Sequence, residues 1–230
     1  MRLAVFKFVT IIITYVECEM KLAIIAASGK QGQTLLNEAI SRGLDVSAIV
    51  RDASKISQNV PVLEKDVLAL SRDDLAPFDV VINAFGAPSE LSHLHVTVGQ
   101  HLMALLQGTA TRLLVVGGAG SLFVNAEHSL RLIDTPEFPD VYKPIASNQG
   151  QNLQDLQAAS DLNWAFLSPA AFFDPAGKRT GRYTLGGDEL LLNSEGNSCV
   201  SYADYATAML DEATAPKHLN QRFSIVGETA

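Results

Sequence analysis

From Lys21 onward the chain alternates short apolar runs with longer stretches of helical periodicity. Leu22 to Ala27 is an unbroken apolar run that ends at Ser28 and Gly29, as expected of a parallel strand covered on both faces. Leu35, Leu36, Ala39 and Ile40 then recur at helical spacing, so the chain leaves the turn straight into an amphipathic helix. Further strands are predicted at Asp45–Val50, Val60–Leu63, Asp79–Ala84, Arg112–Val116, Asn163–Ser168 and Phe223–Val226. Helices are predicted over Leu91–Leu106, over residues 148–160 and after Tyr202. Arg179–Leu192 reads as a hairpin-like excursion turning at Gly186 and Gly187, the expected substrate-side lobe or lid. Strand and helix alternate up to about Leu167, which predicts an α/β fold: a doubly wound parallel sheet with a small C-terminal excursion.

The first residues need a separate reading. Phe8 to Val16 is apolar but far shorter than the roughly 20 residues that span a bilayer. Arg2 and Lys7 precede it as in a secretory signal, yet Glu17 and Glu19 stand where a cleavage site needs small residues. The composition there is strand-like. Residues 1–19 are therefore expected to be an N-terminal appendage, from an upstream start codon, the other readings being a signal or membrane-associating segment and an added strand, and residues 20–230 a single domain. The whole chain carries a net charge of −8 with no basic run, which disfavours nucleic acid as a partner. Its two cysteines, Cys18 and Cys199, form no metal or disulfide pattern, and a cytoplasmic protein, monomeric or homodimeric and free of membrane, is expected. His93, His95 and His101 tempt towards a metal, but His93 and His95 point to different sides of a helix, and no metal is expected.

The chemistry begins where the first strand meets the first helix. A helix N-terminus at the carboxyl end of a strand presents unpaired N–H groups and partial positive charge, a natural site for phosphate. Ala26, Gly29 and Gly32 fall three apart, which lets backbone approach a pyrophosphate and lets the helix pack close to the strand. Arg51 ends the second strand, where an arginine accommodates a 2′-phosphate on an adenosine ribose; the other reading is a solvated strand end. Asp52 beside it is either a ribose ligand or the N-cap of DASKI.

These residues resemble the atypical short-chain dehydrogenase/reductase superfamily, whose phosphate loop has three glycines where this chain has Ala26, Gly29 and Gly32. GGAGSL after the fifth strand and SPAAFF after the sixth resemble the NADH-flavin reductase-like and biliverdin reductase B-like subgroup, neighbours of the NmrA-like proteins. The resemblance implies a Rossmann-type domain binding NADPH (or NADH). It implies cofactor contacts from Ala26, Ser28, Gly29, Lys30, Gln31 and Gly32, from Arg51, from Asp66 and Val67, from Asn83, Ala84, Phe85 and Gly86, and from Pro169. Phe172 and Phe173 form an apolar wall for a planar acceptor or are ordinary core, and Ser121 is the catalytic candidate. The Tyr-x-x-x-Lys pair of the best-known short-chain dehydrogenases is missing: Tyr142 is followed at the fourth place by Ala146, and Lys143 is adjacent to it. Without that acid, hydride transfer to a small-molecule planar acceptor such as a flavin or quinone is the expected chemistry, because the acceptor is itself an electron sink. The alternative is a non-catalytic NAD(P)-binding redox sensor of the NmrA-like type.

Overall fold

The computed structural model describes residues 20–228, so the expectations for residues 1–19, Cys18 among them, lie outside the described residues. Strands β1 (Lys21–Ile25), β2 (Asp45–Val50), β3 (Val62–Glu64), β4 (Val80–Asn83), β5 (Arg112–Val116) and β6 (Asn163–Ser168) run parallel. β10 (Gln221–Gly227) continues the sheet parallel to β6, and β8 (Tyr183–Gly186) closes its edge antiparallel to β10. The eight-stranded order is β3-β2-β1-β4-β5-β6-β10-β8. Strand order therefore reverses between β1 and β4, the place where open α/β sheets bind ligands. A separate parallel pair joins β7 (Phe172–Asp174) to β9 (Cys199–Ser201).

Period-two patterning buries β1 on both faces. Leu22 and Ile24 enter one core with Leu35 and Leu36 of α1 (Lys30–Ser41) and with Tyr205 and Met209 of α5 (Tyr202–Thr214). Ala23 and Ile25 enter the other with Val98 and Leu102 of α3 (Leu94–Leu106) and with Leu153 and Leu156 of α4 (Lys143–Ala158). The sheet is thus covered by α1 and α5 on one side and by α3 and α4 on the other; α2 (Arg72–Leu75) is a single turn with a capping box between Ser71 and Asp74. Among the described residues no helix is long and apolar enough to cross a membrane.

The differences from the sequence reading are local. The third strand lies two residues later than Val60, because Pro61 supplies only its carbonyl to Ala48 and pairing by Cα register starts at Val62. The helix expected at 148 begins at Lys143, with Pro144 in the first turn, where its missing N–H costs nothing. Arg179–Leu192 does not fold back on itself: Tyr183–Gly186 pairs with β10, and the following residues pair with Phe123.

Candidate functional site

A cleft of about 1240 Å³ runs across the carboxyl ends of the parallel strands. Its floor at the switch point is the turn from β1 to α1. Ala26 holds φ 57°, the left-handed region, with its N–H donating to the Ile49 carbonyl at 2.9 Å. Its own carbonyl accepts from the Gly29 N–H at 2.9 Å. A Cβ on Gly32 would stand 2.3 Å from that carbonyl oxygen and 2.9 Å from the Ala27 Cα, so only glycine lets α1 pass beneath the turn. No side chain caps α1 and no acidic residue lies in its first turn, leaving the leading N–H groups to serve an anion. Lys30 lines the cleft there; its carbonyl accepts from the Thr34 hydroxyl at 3.0 Å, and its ammonium makes no hydrogen bond or ion pair among the described residues. Gln31 donates from Nε2 to the Tyr202 carbonyl at 3.4 Å, while its buried Oε1 has no partner.

One end of the cleft is formed by the loops after β2 and β3. Arg51 lines it, exposed and without hydrogen bond or ion pair among the described residues. Asp52 is an N-cap: its carboxylate accepts from the Ser54 hydroxyl at 2.6 Å and the Ser54 N–H at 3.1 Å, bonds that hold its pKa below the usual carboxylate range. Asp66 caps the turn Val67–Ala69 by accepting from the Leu68 N–H at 2.9 Å, and Asp66 and Val67 both line the cleft.

The other end lies past β4, β5 and β6. Asn83 is buried and does not line the cleft; its Oδ1 accepts from the Phe85 N–H at 3.1 Å and so shapes the turn that brings Ala84, Phe85 and Gly86 to the wall. Phe85 meets His95 edge-on at 5.7 Å, and burial pushes the His95 imidazole below its usual pKa, favouring the neutral ring. In the loop after β5, a Cβ on Gly117 would strike the Phe166 ring at 2.1 Å and one on Gly118 would meet Gln149 Oε1 at 2.0 Å. Close packing against β6 and α4 thus accounts for these glycines. Ser121 stands outside the cleft lining; Arg222 Nη1 donates to its hydroxyl and its carbonyl, each at 3.0 Å. Pro169 lines the cleft at the end of β6, as do Phe172, exposed, and Phe173, which packs on Tyr202 and Tyr205 at 4.2 and 4.7 Å.

Residues 26–216 match the family described as NAD(P)H-binding. The chain belongs to that family. It is 57% identical to the protein YwnB of Bacillus subtilis over 91% of this chain and 99% of that one. A crystal structure from Streptococcus pneumoniae, named for a proposed NADH-flavin reductase activity, is 43% identical with TM-score 0.87, covering 91% of this chain and 100% of that one. One from Bacteroides thetaiotaomicron, named for a proposed epimerase, is 38% identical with TM-score 0.80, covering 92% and 98%.

The turn from β1 to α1 and the ends of β2 and β3 line one half of the cleft. The opposite wall also includes Thr135, Glu137 and Phe138, which the sequence motifs do not single out, and Tyr142, which the sequence shows only as a tyrosine without its lysine partner, all from the connection between β5 and α4. The available signal is the run of Pro136, Pro139 and Pro144 around Phe138 and Tyr142, which marks an ordered loop with aromatic content after a strand end. From α4, Ile145 and Gln149 face the cleft one turn apart, while Lys143 is held by Asp140 at 2.7 Å. Among the described residues no group of three His, Cys, Asp or Glu side chains is placed to hold a metal ion.

Proposed function

We propose that the protein is an NAD(P)H-dependent oxidoreductase, favouring NADPH, that reduces a flavin, quinone or related conjugated acceptor in the cytoplasm. The observation that carries this reading is a single cleft with an uncapped helix N-terminus and the unpaired Arg51 at one end and an aromatic wall at the other. The residues present fit a dinucleotide: Gly32 leaves backbone open where a Cβ would clash, and no acidic side chain lies in the first turn of α1 to oppose a phosphate. The first N–H groups of α1 with Lys30 would hold the phosphates, Arg51 the 2′-phosphate, and Val67, Ala84 and Phe85 the apolar surfaces. A bound reduced nicotinamide supplies the hydride. Phe85, Phe172 and Phe173 exclude water and orient a flat ring, and protonation is left to solvent, because Lys143 is tied to Asp140 and stands beside Tyr142 in sequence.

The same lack of a tyrosine–lysine pair also favours a second reading, a non-catalytic NAD(P)-binding redox sensor. Binding and turnover measured on one preparation separate the two. NADPH bound and then consumed when FMN, riboflavin or menadione is added supports the reductase; NADPH bound and left unchanged with every acceptor supports the sensor.

A further inference from the structure

The positive charges lining the cleft stand at one end. Its lysines and arginines, Lys30, Arg51, Lys55 and Lys65, all come just after β1, β2 and β3, where they outnumber the one acid of that end, Asp66, although Lys65 is paired with Asp74 at 2.6 Å. Past β5 and β6 the lining contains no lysine or arginine, and its one charged side chain is Glu137. The acids flanking Glu137 are neutralised by their neighbours: Asp134 by Arg131 at 2.7 Å and Asp140 by Lys143 at 2.7 Å. Glu137 itself makes no ion pair or hydrogen bond among the described residues, and it is exposed at the cleft wall beside Phe138 and close in sequence to Tyr142. The imidazole of His95, the histidine in the cleft lining, is buried and adds no fixed positive charge. The whole chain, at −8, repels anions further.

An anion is therefore welcome at the nucleotide end and unwelcome at the acceptor end. We infer that the acceptor half of the cleft selects conjugated rings without an anionic group, and that Glu137 turns phosphorylated acceptors away. The inference rests on the reductase reading for the word acceptor, but the selectivity it describes is a binding property. Of two flavins with the same ring, the unphosphorylated one binds better. For a carboxylate and a doubly charged phosphate a few ångströms apart in water, the discrimination is about tenfold at low ionic strength, shrinking to about threefold at physiological salt.

The test is flavin fluorescence quenching by the full chain, with and without saturating NADP+, using riboflavin and FMN at about 10 mM and about 0.15 M salt, the concentrations that bracket the screening range. Riboflavin is expected to bind about tenfold more tightly than FMN at low salt. The ratio should fall towards one in Glu137→Gln and reverse in Glu137→Lys, substitutions at an exposed side chain. FMN binding as tightly as riboflavin, a ratio unmoved by either variant, or no binding of either flavin overturns the inference. NADPH oxidation in the same samples tests the other claim separately. Riboflavin bound but never reduced would remove the reductase reading and leave the selectivity standing, whereas turnover that favours FMN would do the reverse.

Discussion

Ala26 shows how much one residue of the phosphate turn carries. The spacing of Ala26, Gly29 and Gly32 is visible in the sequence, and so is the substitution of alanine for the usual first glycine; the left-handed φ of 57° is not. That conformation costs an alanine about 1–2 kcal/mol, offset in part by the greater unfolded-state freedom of glycine. Ala26→Gly should therefore raise stability by about 0.5–1 kcal/mol, read as a melting temperature about 1–4 °C higher, without loss of NADPH affinity. Gly32→Ala has the opposite character. Its methyl would meet backbone at 2.3 Å, so the turn must open, and NADPH binding should be lost even where circular dichroism shows a folded chain. Asp52 was open between two roles in the sequence because a strand-end acid suits either a ribose or a helix cap. The hydrogen bonds from Ser54 commit it to the cap and leave Arg51 as an unpaired charge facing the cleft.

At the scale of elements, strands and helices were legible because the pattern changes period with each one. What remained hidden was the pairing of weakly patterned segments. Tyr183–Gly186 runs into the pair Gly186 and Gly187 that reads as a turn, yet β10 presents an open edge, and satisfying that row of backbone groups decides the outcome. The wall from Thr135 to Tyr142 was hidden for a related reason: it has no periodicity, and proline and aromatic content does not say which cleft a loop covers. The glycines after β5 were legible as a motif but not as packing. Gly118→Ala meets only the flexible end of Gln149, so the fold should survive with stability changed by under about 1 kcal/mol. Gln149, which lines the cleft, must then shift, and a several-fold fall in kcat/KM at nearly constant melting temperature is expected. Gly117→Ala instead drives a methyl into the buried ring of Phe166, and thermal denaturation should show a loss of about 1–3 kcal/mol.

Across the whole molecule, the sheet is tied to α5 by a buried ionic cluster at the end remote from the cleft. Arg112, at the start of β5, donates to the Glu212 carboxylate, to the Glu212 carbonyl at 2.8 Å and to the His218 carbonyl at 3.2 Å. Glu212 also accepts from the Lys217 and His218 N–H groups at 3.1 and 3.0 Å and from His218 Nδ1 at 2.7 Å. Burial works to raise the Glu212 pKa, but the donors outweigh it and the carboxyl lies below its usual value of 4.5. A depressed carboxylate stabilises the fold at pH above its unfolded value and loses that contribution as pH falls through the folded one. Glu212→Gln should thus lower stability at pH 7 by about 3 kcal/mol, and the gap to the parent protein should narrow below about pH 4 in denaturant titrations. The cluster lies apart from the cleft lining, so cofactor affinity at pH 7 serves as the control.

The proposed function requires the cleft from Arg51 to Phe172 to hold a dinucleotide and a flat acceptor together, and the decisive measurement is made on both ends at once. NADPH and NADH oxidation, followed by absorbance of the reduced nicotinamide with riboflavin or menadione present, should be compared in the parent protein and in Arg51→Ala. The account predicts turnover that favours NADPH, with KM for NADPH rising about tenfold in the variant while KM for NADH stays nearly unchanged, the loss expected for one charged hydrogen bond. A preference for NADPH that persists without Arg51, or nucleotide bound and never oxidised, would contradict it.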